Sequence, residues 1–352
     1  MRPCIHFGTC GGCVDQSDAN RLAKREALIR ALGGLGEVAD VIAVPPGTRR
    51  RANFKAEKKS GGVQIGFHAA RSHDIVGMRE CLVLTPKLFG LVAGLRAMME
   101  ALLADGGKAD IDVTETDTGF DVALQGIRAE GTAKRAEIAR WAQALKLARV
   151  MVGKDVLVEF GAPSVTLGRA RVLLAPGAFL QPTREGEAAL QAYVRDAAKG
   201  AKRIADLFSG CGTFSLVLAE DARVHAVERE GAMVDALAAA ARATQGLKPV
   251  TTEKRDLFKV PLMARELDDF DTVVLDPPRA GAAAQAAELA KSKVKRVVYV
   301  SCDPVSFARD ARLLVGGGYR MSPVTPVDQF LWSSHIELAA SFRLGKDAAR
   351  GK

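Results

Sequence analysis

Aromatic residues are scarce in this chain: 14 Phe, 3 Tyr and 2 Trp make up 5% of its 352 residues. An extended platform for stacking nucleic-acid bases is therefore not expected. No apolar run approaches the length needed to cross a bilayer, and Met1-Arg2-Pro3-Cys4 does not open a secretory signal. Those absences lead to the expectation of a cytoplasmic protein, in a compartment where structural disulfides are rare. Its six cysteines then need another use, or none. Internal repeats and low-complexity tracts are missing. A complete Gly-x-Gly-x-x-Gly is missing too, because Ser215 stands at the third glycine's position. What is present is material for a sizeable core, with 48% hydrophobic residues and length enough for two or three domains. The net charge of +9 favours a polyanionic partner.

Three of the cysteines crowd the N-terminus, in Cys4-Ile-His-Phe-Gly-Thr-Cys10-Gly-Gly-Cys13. The Cys10–Cys13 pair can reach one metal centre, and the glycines let backbone amides turn toward sulfur. Cys81 is the candidate fourth ligand. Spacing alone fits a zinc site and an iron–sulfur centre equally, with a redox pair or free thiols as further alternatives. His6 reads as a bystander. Ser17 to Leu32 follows as a helix with Leu22, Leu28, Ile29 and Leu32 on one face, stopped by Gly33-Gly34. Next comes a nearly one-signed charge run, Arg49, Arg50, Arg51, Lys55, Lys58 and Lys59, opposed only by Glu57. On a hairpin it reads either as a solvated face or as a surface for RNA phosphates.

The middle of the chain alternates helices and hairpins without a catalytic cluster. Thr85-Pro86 opens a helix through Leu102 whose methionines are expected in the core. From about residue 178 short apolar strands alternate with Ala-rich helices, the pattern of a doubly wound parallel sheet. Strand ends then carry the chemistry. The strand through Leu207 ends in Ser209-Gly210-Cys211-Gly212-Thr213, where the backbone can approach a ligand. Glu228 ends the next strand, where an acid can bind ribose hydroxyls. Retention of this acid without the third glycine suits a nucleoside without a pyrophosphate, and so S-adenosylmethionine over NAD. Asp206 lies below the loop, Asp256 can accept from an adenine amino group, and Asp276-Pro277-Pro278-Arg279 is a second acidic strand end. Val297 to Val300 leads to Ser301-Cys302-Asp303-Pro304. Cys302 reads either as a buried apolar cysteine or as a thiol at a strand tip facing a helix N-terminus, where the helix dipole can hold it as thiolate. Glu337, in His335-Ile336-Glu337, opens the last strand and is either a surface acid or a general base.

Together these segments resemble the RNA 5-methyluridine (uracil-5) methyltransferase family. The resemblance covers the cysteine cluster, Phe179-Leu180-Gln181, Asp206 to Thr213, Glu228, Asp276 to Gly281, Ser301 to Asp310 and Val327 to Glu337. It implies an α/β fold with a C-terminal Rossmann-like, doubly wound methyltransferase domain over 178–352. A central α+β domain is expected over 86–177, and an iron–sulfur and basic RNA-contact segment over 1–85. It implies a 4Fe-4S centre on Cys4, Cys10, Cys13 and Cys81. It implies S-adenosylmethionine at Gln181, Phe208, Thr213, Glu228, Asp256 and Asp276, with Cys302 as nucleophile and Glu337 as base. RNA is the implied partner, ribosomal RNA ahead of transfer RNA because the cluster cysteines typify that branch, and the enzyme is expected to be a monomer. Many members begin with a small β-barrel RNA-binding domain, which this chain is expected to lack. Asp303 and Thr213 stand where Asn is usual, and Phe330-Leu331-Trp332-Ser333-Ser334 departs from the usual Phe-Pro-x-Thr. Two alternatives are an RNA cytosine-5 methyltransferase, for which the Cys expected after Asp276-Pro277-Pro278 is absent, and a non-catalytic RNA-binding iron–sulfur protein.

Overall fold

The computed structural model describes residues 3–345; residues 1–2 and 346–352, the outer ends of the first and last expected segments, lie outside the described residues. Two large sheets organise the chain. The first has seven strands: Arg51–Lys59, Gly62–His68, Ile75–Gly77, Lys108–Glu115, Phe120–Gln125, Leu147–Val152 and Asp155–Glu159. It draws strands from both sides of residue 85. Alternation turns Ala52, Phe54 and Ala56 inward, against Leu88, Leu95, Met98 and Met99 of the helix Pro86–Leu102. Thr85 caps that helix by accepting the Leu88 N–H at 3.1 Å. Gly94 lets it seat closely, because a Cβ there would stand 2.3 Å from Leu145 Cδ2.

The second sheet has nine strands. From one edge its order is Ile42–Ala43, Thr325–Asp328, Glu337–Leu344, Arg296–Ser301, Thr272–Leu275, Arg203–Leu207, Arg223–Glu228 and Val250–Lys254, with Tyr319–Met321 also paired to Glu337–Leu344. The five strands from Arg296–Ser301 to Val250–Lys254 run parallel, and Glu337–Leu344 lies antiparallel beside them. Both faces are covered. Val273, Leu275, Val297 and Tyr299 pack on one side with Leu289, Phe307 and Leu314. Val274, Val298 and Val300 pack on the other with Leu190 and Val194 of the helix Arg184–Ala197. Burial on two faces is why these strands read as unbroken apolar runs.

The N-terminal helix, Ala19–Leu32, packs into this second unit rather than standing apart. Its inward face corrects the sequence expectation. Asn20, Lys24, Leu28 and Leu32 are buried, while Leu22 and Ile29 are exposed. The helix is rotated by a partner remote in sequence: Lys24 Nζ lies 2.6 Å from Asp328 Oδ1, both groups buried. Gly33, at φ 57°, ends the helix as expected. Among the described residues no helix is long and apolar enough to cross a membrane.

Candidate active site

The parallel strands deliver their carboxyl ends to one edge of the second sheet. After Leu207 the chain turns sharply, with Phe208 at φ 62° and Gly210 and Gly212 also at positive φ. A Cβ on Gly212 would come within 3.0 Å of Leu216 and Leu237. Glu228 is held facing this loop. Its Oε2 accepts the Gly210 N–H at 3.0 Å, and its Oε1 accepts those of Arg229 and Glu230 at 2.7 and 2.9 Å. Lone pairs remain for further donors. The Phe208 and Phe258 rings stand 5.4 Å apart, beside the turn where Asp256 accepts the Phe258 N–H. Thr213 borders the loop, its carbonyl bonded by Gln191. Beneath lies Asp206, fully buried, one oxygen taking the Ser215 hydroxyl at 2.5 Å and the other without a partner. Burial pushes its carboxyl up to about 7.

The thiol and the last carboxylate meet through strand register. Ser301 pairs with Leu338 across the antiparallel junction, so Cys302 at one strand's end is level with Glu337 at the other's start. The charge of Glu337 acts on the Cys302 thiol, as does that of Asp276. Glu337 is buried, with its carboxyl raised by that burial and by Asp276, against a hydrogen bond from Gln329 and the charge of Arg279. Asp276 is raised to about 8 by burial and by Asp206. Gln181 Nε2 lies 3.5 Å from Asp276 Oδ2, and Gln181 Oε1 accepts the Gln329 amide at 2.7 Å.

The surroundings of Cys302 work against a thiolate in the ligand-free cleft: its thiol is pushed up to about 11, first by burial and then by Glu337 and Asp276. Asp303 caps the helix Pro304–Gly316 itself, accepting the Ser306 N–H at 2.7 Å, so the capping amide is spent on a carboxylate. Arg279 opposes the rise.

The basic run is not the open phosphate-binding face considered from sequence. Arg50 is 1% exposed, paired with Glu187 at 2.6 Å, and its Nε donates to the Gln181 carbonyl. Arg51 donates to the Leu180 carbonyl and covers the Phe179 ring, 4.7 Å from its centroid. Lys55, Lys58 and Lys59 pair with Asp110, Glu100 and Glu57. The arginines therefore fasten the Phe179–Gln181 segment to the first sheet. Their partners are far along the chain, which hid this role in the sequence.

Cys4, Cys10, Cys13 and Cys81 border one cavity of about 440 Å³, together with Arg49, Arg279, Phe330 and His335. All four are unpaired thiols of intermediate exposure. The Gly12 N–H points at Cys10 Sγ at 3.4 Å, as the Gly-Gly spacer predicted. His6 is engaged elsewhere, its Nε2 accepting the Arg79 N–H. Among the described residues no group of three or more His, Cys, Asp or Glu is arranged to hold a metal ion. The cavity abuts the segment leading to Glu337. Trp332 is held at φ 63° there, its carbonyl accepting the N–H groups of Val14 and Asp15 at 2.7 and 3.3 Å. Gln329 and Arg279 are the members of this constellation to which sequence gave no role of their own, and Arg50 was read only as part of the basic run; nothing local to Gln329 in the sequence announces it.

Known proteins share this architecture. A family model described as tRNA (Uracil-5-)-methyltransferase matches residues 142–343. An RNA methyltransferase of Rhizobium meliloti is 44% identical over 96% of this chain and 85% of its own. The 23S rRNA (uracil(1939)-C(5))-methyltransferase of Klebsiella pneumoniae is 34% identical over 96% of this chain and 80% of its own. In fold, the Pyrococcus abyssi tRNA (uracil-54, C5)-methyltransferase, solved with S-adenosyl-L-homocysteine, superposes with a TM-score of 0.70 at 22% identity, covering 94% of this chain and 84% of that one. With the family model matched over more than half the chain's length and the relatives over 80% or more of theirs, the chain belongs to the tRNA (uracil-5-)-methyltransferase family and is an S-adenosylmethionine-dependent RNA methyltransferase of the uracil-5 type.

Proposed function

We propose that the enzyme methylates carbon 5 of one uridine in ribosomal RNA through a covalent bond between Cys302 and the base. The observation that carries this is the juxtaposition of Cys302 and Glu337 at neighbouring strand ends. Carbon 5 of uracil is a poor nucleophile. Attack of the Cys302 sulfur on carbon 6 makes an enolate and loads electron density onto carbon 5. The thiol proton first passes to Asp276, the other carboxylate acting on Cys302, so that Glu337 stays free for the later step, and Arg279 stabilises the thiolate that remains. S-adenosylmethionine, when bound, supplies the methyl group from its sulfonium. Glu337 then takes the carbon-5 proton, and the thiol is eliminated as the double bond returns. The base leaves any stack to reach the sulfur.

On the donor side, Glu228 binds the ribose hydroxyls and Asp256 the adenine amino group. Phe208 lies against the adenine, Thr213 borders the loop, and Gln181 and Asp276 line the end nearest Cys302. Cys4, Cys10, Cys13 and Cys81, which border one cavity, would hold a structural 4Fe-4S centre, with Arg49 and Arg279 on the same wall to offset negative charge there. The segment 1–85, the central region and 178–352 work as three functional parts of one cytoplasmic, monomeric enzyme. Ribosomal RNA is favoured because the Klebsiella relative acts on 23S rRNA.

Tritium release tests the reaction. RNA labelled at carbon 5 of uracil should lose its label with donor present, and RNA labelled at carbon 5 of cytosine should keep it. Mapping 5-methyluridine in cells with and without the gene then tests the substrate. Loss of the modification from transfer RNA with ribosomal RNA untouched would move the assignment to transfer RNA.

A further inference from the structure

We propose that Arg296, Arg343 and Arg320 form a row that grips phosphates of the RNA substrate away from its target base, at the end of the catalytic sheet opposite the cleft. The proposal rests on RNA as the substrate and not on which uridine is methylated.

Strand register makes the row. Arg296 opens its strand and stands opposite Arg343 across the antiparallel junction, and Arg343 stands opposite Arg320 on the next strand. Residues directly opposite share a face, and neighbouring strands lie about 5 Å apart, so three arginine side chains rise side by side. Like charges so placed repel one another. Arg296 turns Nη1 to the end of the helix Arg184–Ala197, donating to the Ala197 and Lys199 carbonyls at 2.7 and 3.0 Å. Burial and then the charge of Arg343 hold its pKa below the ordinary arginine value, against Asp271. Arg343 and Arg320 are exposed, and among the described residues neither guanidinium has a hydrogen bond or an ion pair. Carboxylates at this end of the sheet are engaged elsewhere. Asp271 accepts the Lys202 and Arg203 N–H groups at 2.9 and 3.0 Å, and Asp268 that of Lys293 at 2.6 Å.

The arrangement suits phosphate. Arg320 and Arg343 wall a cavity of about 660 Å³ with Ser341, whose hydroxyl lies on the Arg343 face. Guanidinium forks match phosphate oxygens, and a serine hydroxyl adds a donor. The sequence after Gly345 adds three basic residues and one acid, so the chain's own end does not complement the row. Arg296 begins the strand that Cys302 follows, which puts the row about 20 Å from the thiol. RNA held there flanks the target instead of presenting it, and a folded RNA extends that far beyond one base.

The test is binding of a 23S rRNA transcript by the full-length Arg320→Gln/Arg343→Gln variant, from about 50 to 200 mM salt. The slope of log affinity against log salt should become shallower by about one and a half to two, close to one for each arginine. Affinity near 0.1 M salt should fall about tenfold. Turnover at saturating RNA and affinity for S-adenosylmethionine should not change. Lysine at both positions should restore the slope. Arg140→Gln/Lys154→Gln removes the same charge from the other sheet's side and should leave the slope unchanged. Because the arginines repel, the first variant should melt no lower than wild type. An unchanged slope, an equal change in the Arg140→Gln/Lys154→Gln control, or loss of binding to phosphatidylserine vesicles with RNA binding intact would overturn the proposal. If wild type methylates transfer RNA and not the 23S transcript, the ribosomal assignment fails instead, and the same slopes measured on transfer RNA decide the row.

Discussion

At the scale of single residues, the cleft stores carboxyl groups that would rather be neutral. Asp276 is raised to about 8, first by burial and then by Asp206. A raised acid keeps its proton in the folded state where the unfolded chain has released it. Its contribution to stability is therefore complete below the unfolded carboxylate value near 4 and is lost as pH climbs to about 8. Asp276→Asn should accordingly melt about one to two degrees higher than wild type at pH 8.5, roughly the effect of one kcal/mol, and at nearly the same temperature at pH 4.5. Thermal melts of the ligand-free proteins check this; an equal gap at both pH values would mean the carboxyl is not strained. The same strain is useful with a cationic donor in place, because a positive sulfonium favours the ionised acid. The Cys302 thiol, raised to about 11, belongs to the same economy of charge.

At the scale of elements, the first sheet and the catalytic sheet meet through Arg50. It is paired with Glu187 on the helix Arg184–Ala197 and bonded to the Gln181 carbonyl. Breaking a buried pair strands the remaining charge. Arg50→Met should cost about 3–5 kcal/mol in urea unfolding, and adding Glu187→Leu should recover much of it. A variant as stable as wild type would return Arg50 to a peripheral role. This element also shows what was legible beforehand. Thr272–Leu275 and Arg296–Ser301 could be read because burial on two faces leaves continuous apolar runs. Val250–Lys254 could not, since an edge strand reading Val-Thr-Thr-Glu-Lys carries no such run. The strand ends at Glu228, Asp276 and Cys302 followed from the same logic. Lys24, Arg50 and Gln329 did not, because each is defined by a partner distant in sequence: Asp328, Glu187 and Gln181.

Across the whole molecule, the cysteine segment braces the approach to Glu337. Val14 and Asp15 bond the Trp332 carbonyl, Asn20 the Ser333 carbonyl and Lys24 the Phe330 carbonyl. A centre seated in the cavity would stiffen that contact without touching the reaction. Protein prepared without oxygen should be brown and carry about four irons per chain. A colourless protein with one tightly bound zinc would contradict the iron–sulfur assignment.

The most direct test of the covalent mechanism is a denaturing gel of enzyme incubated with RNA and S-adenosylmethionine, comparing Cys302→Ala with Glu337→Gln. Cys302 acts before methyl transfer and Glu337 after it. Glu337→Gln should therefore attack, accept the methyl group and stall, giving a slow band that contains enzyme and methylated RNA and that requires the donor. Cys302→Ala should give neither methylation nor band. Normal turnover by Glu337→Gln without an adduct, or an adduct in Cys302→Ala, would contradict the mechanism.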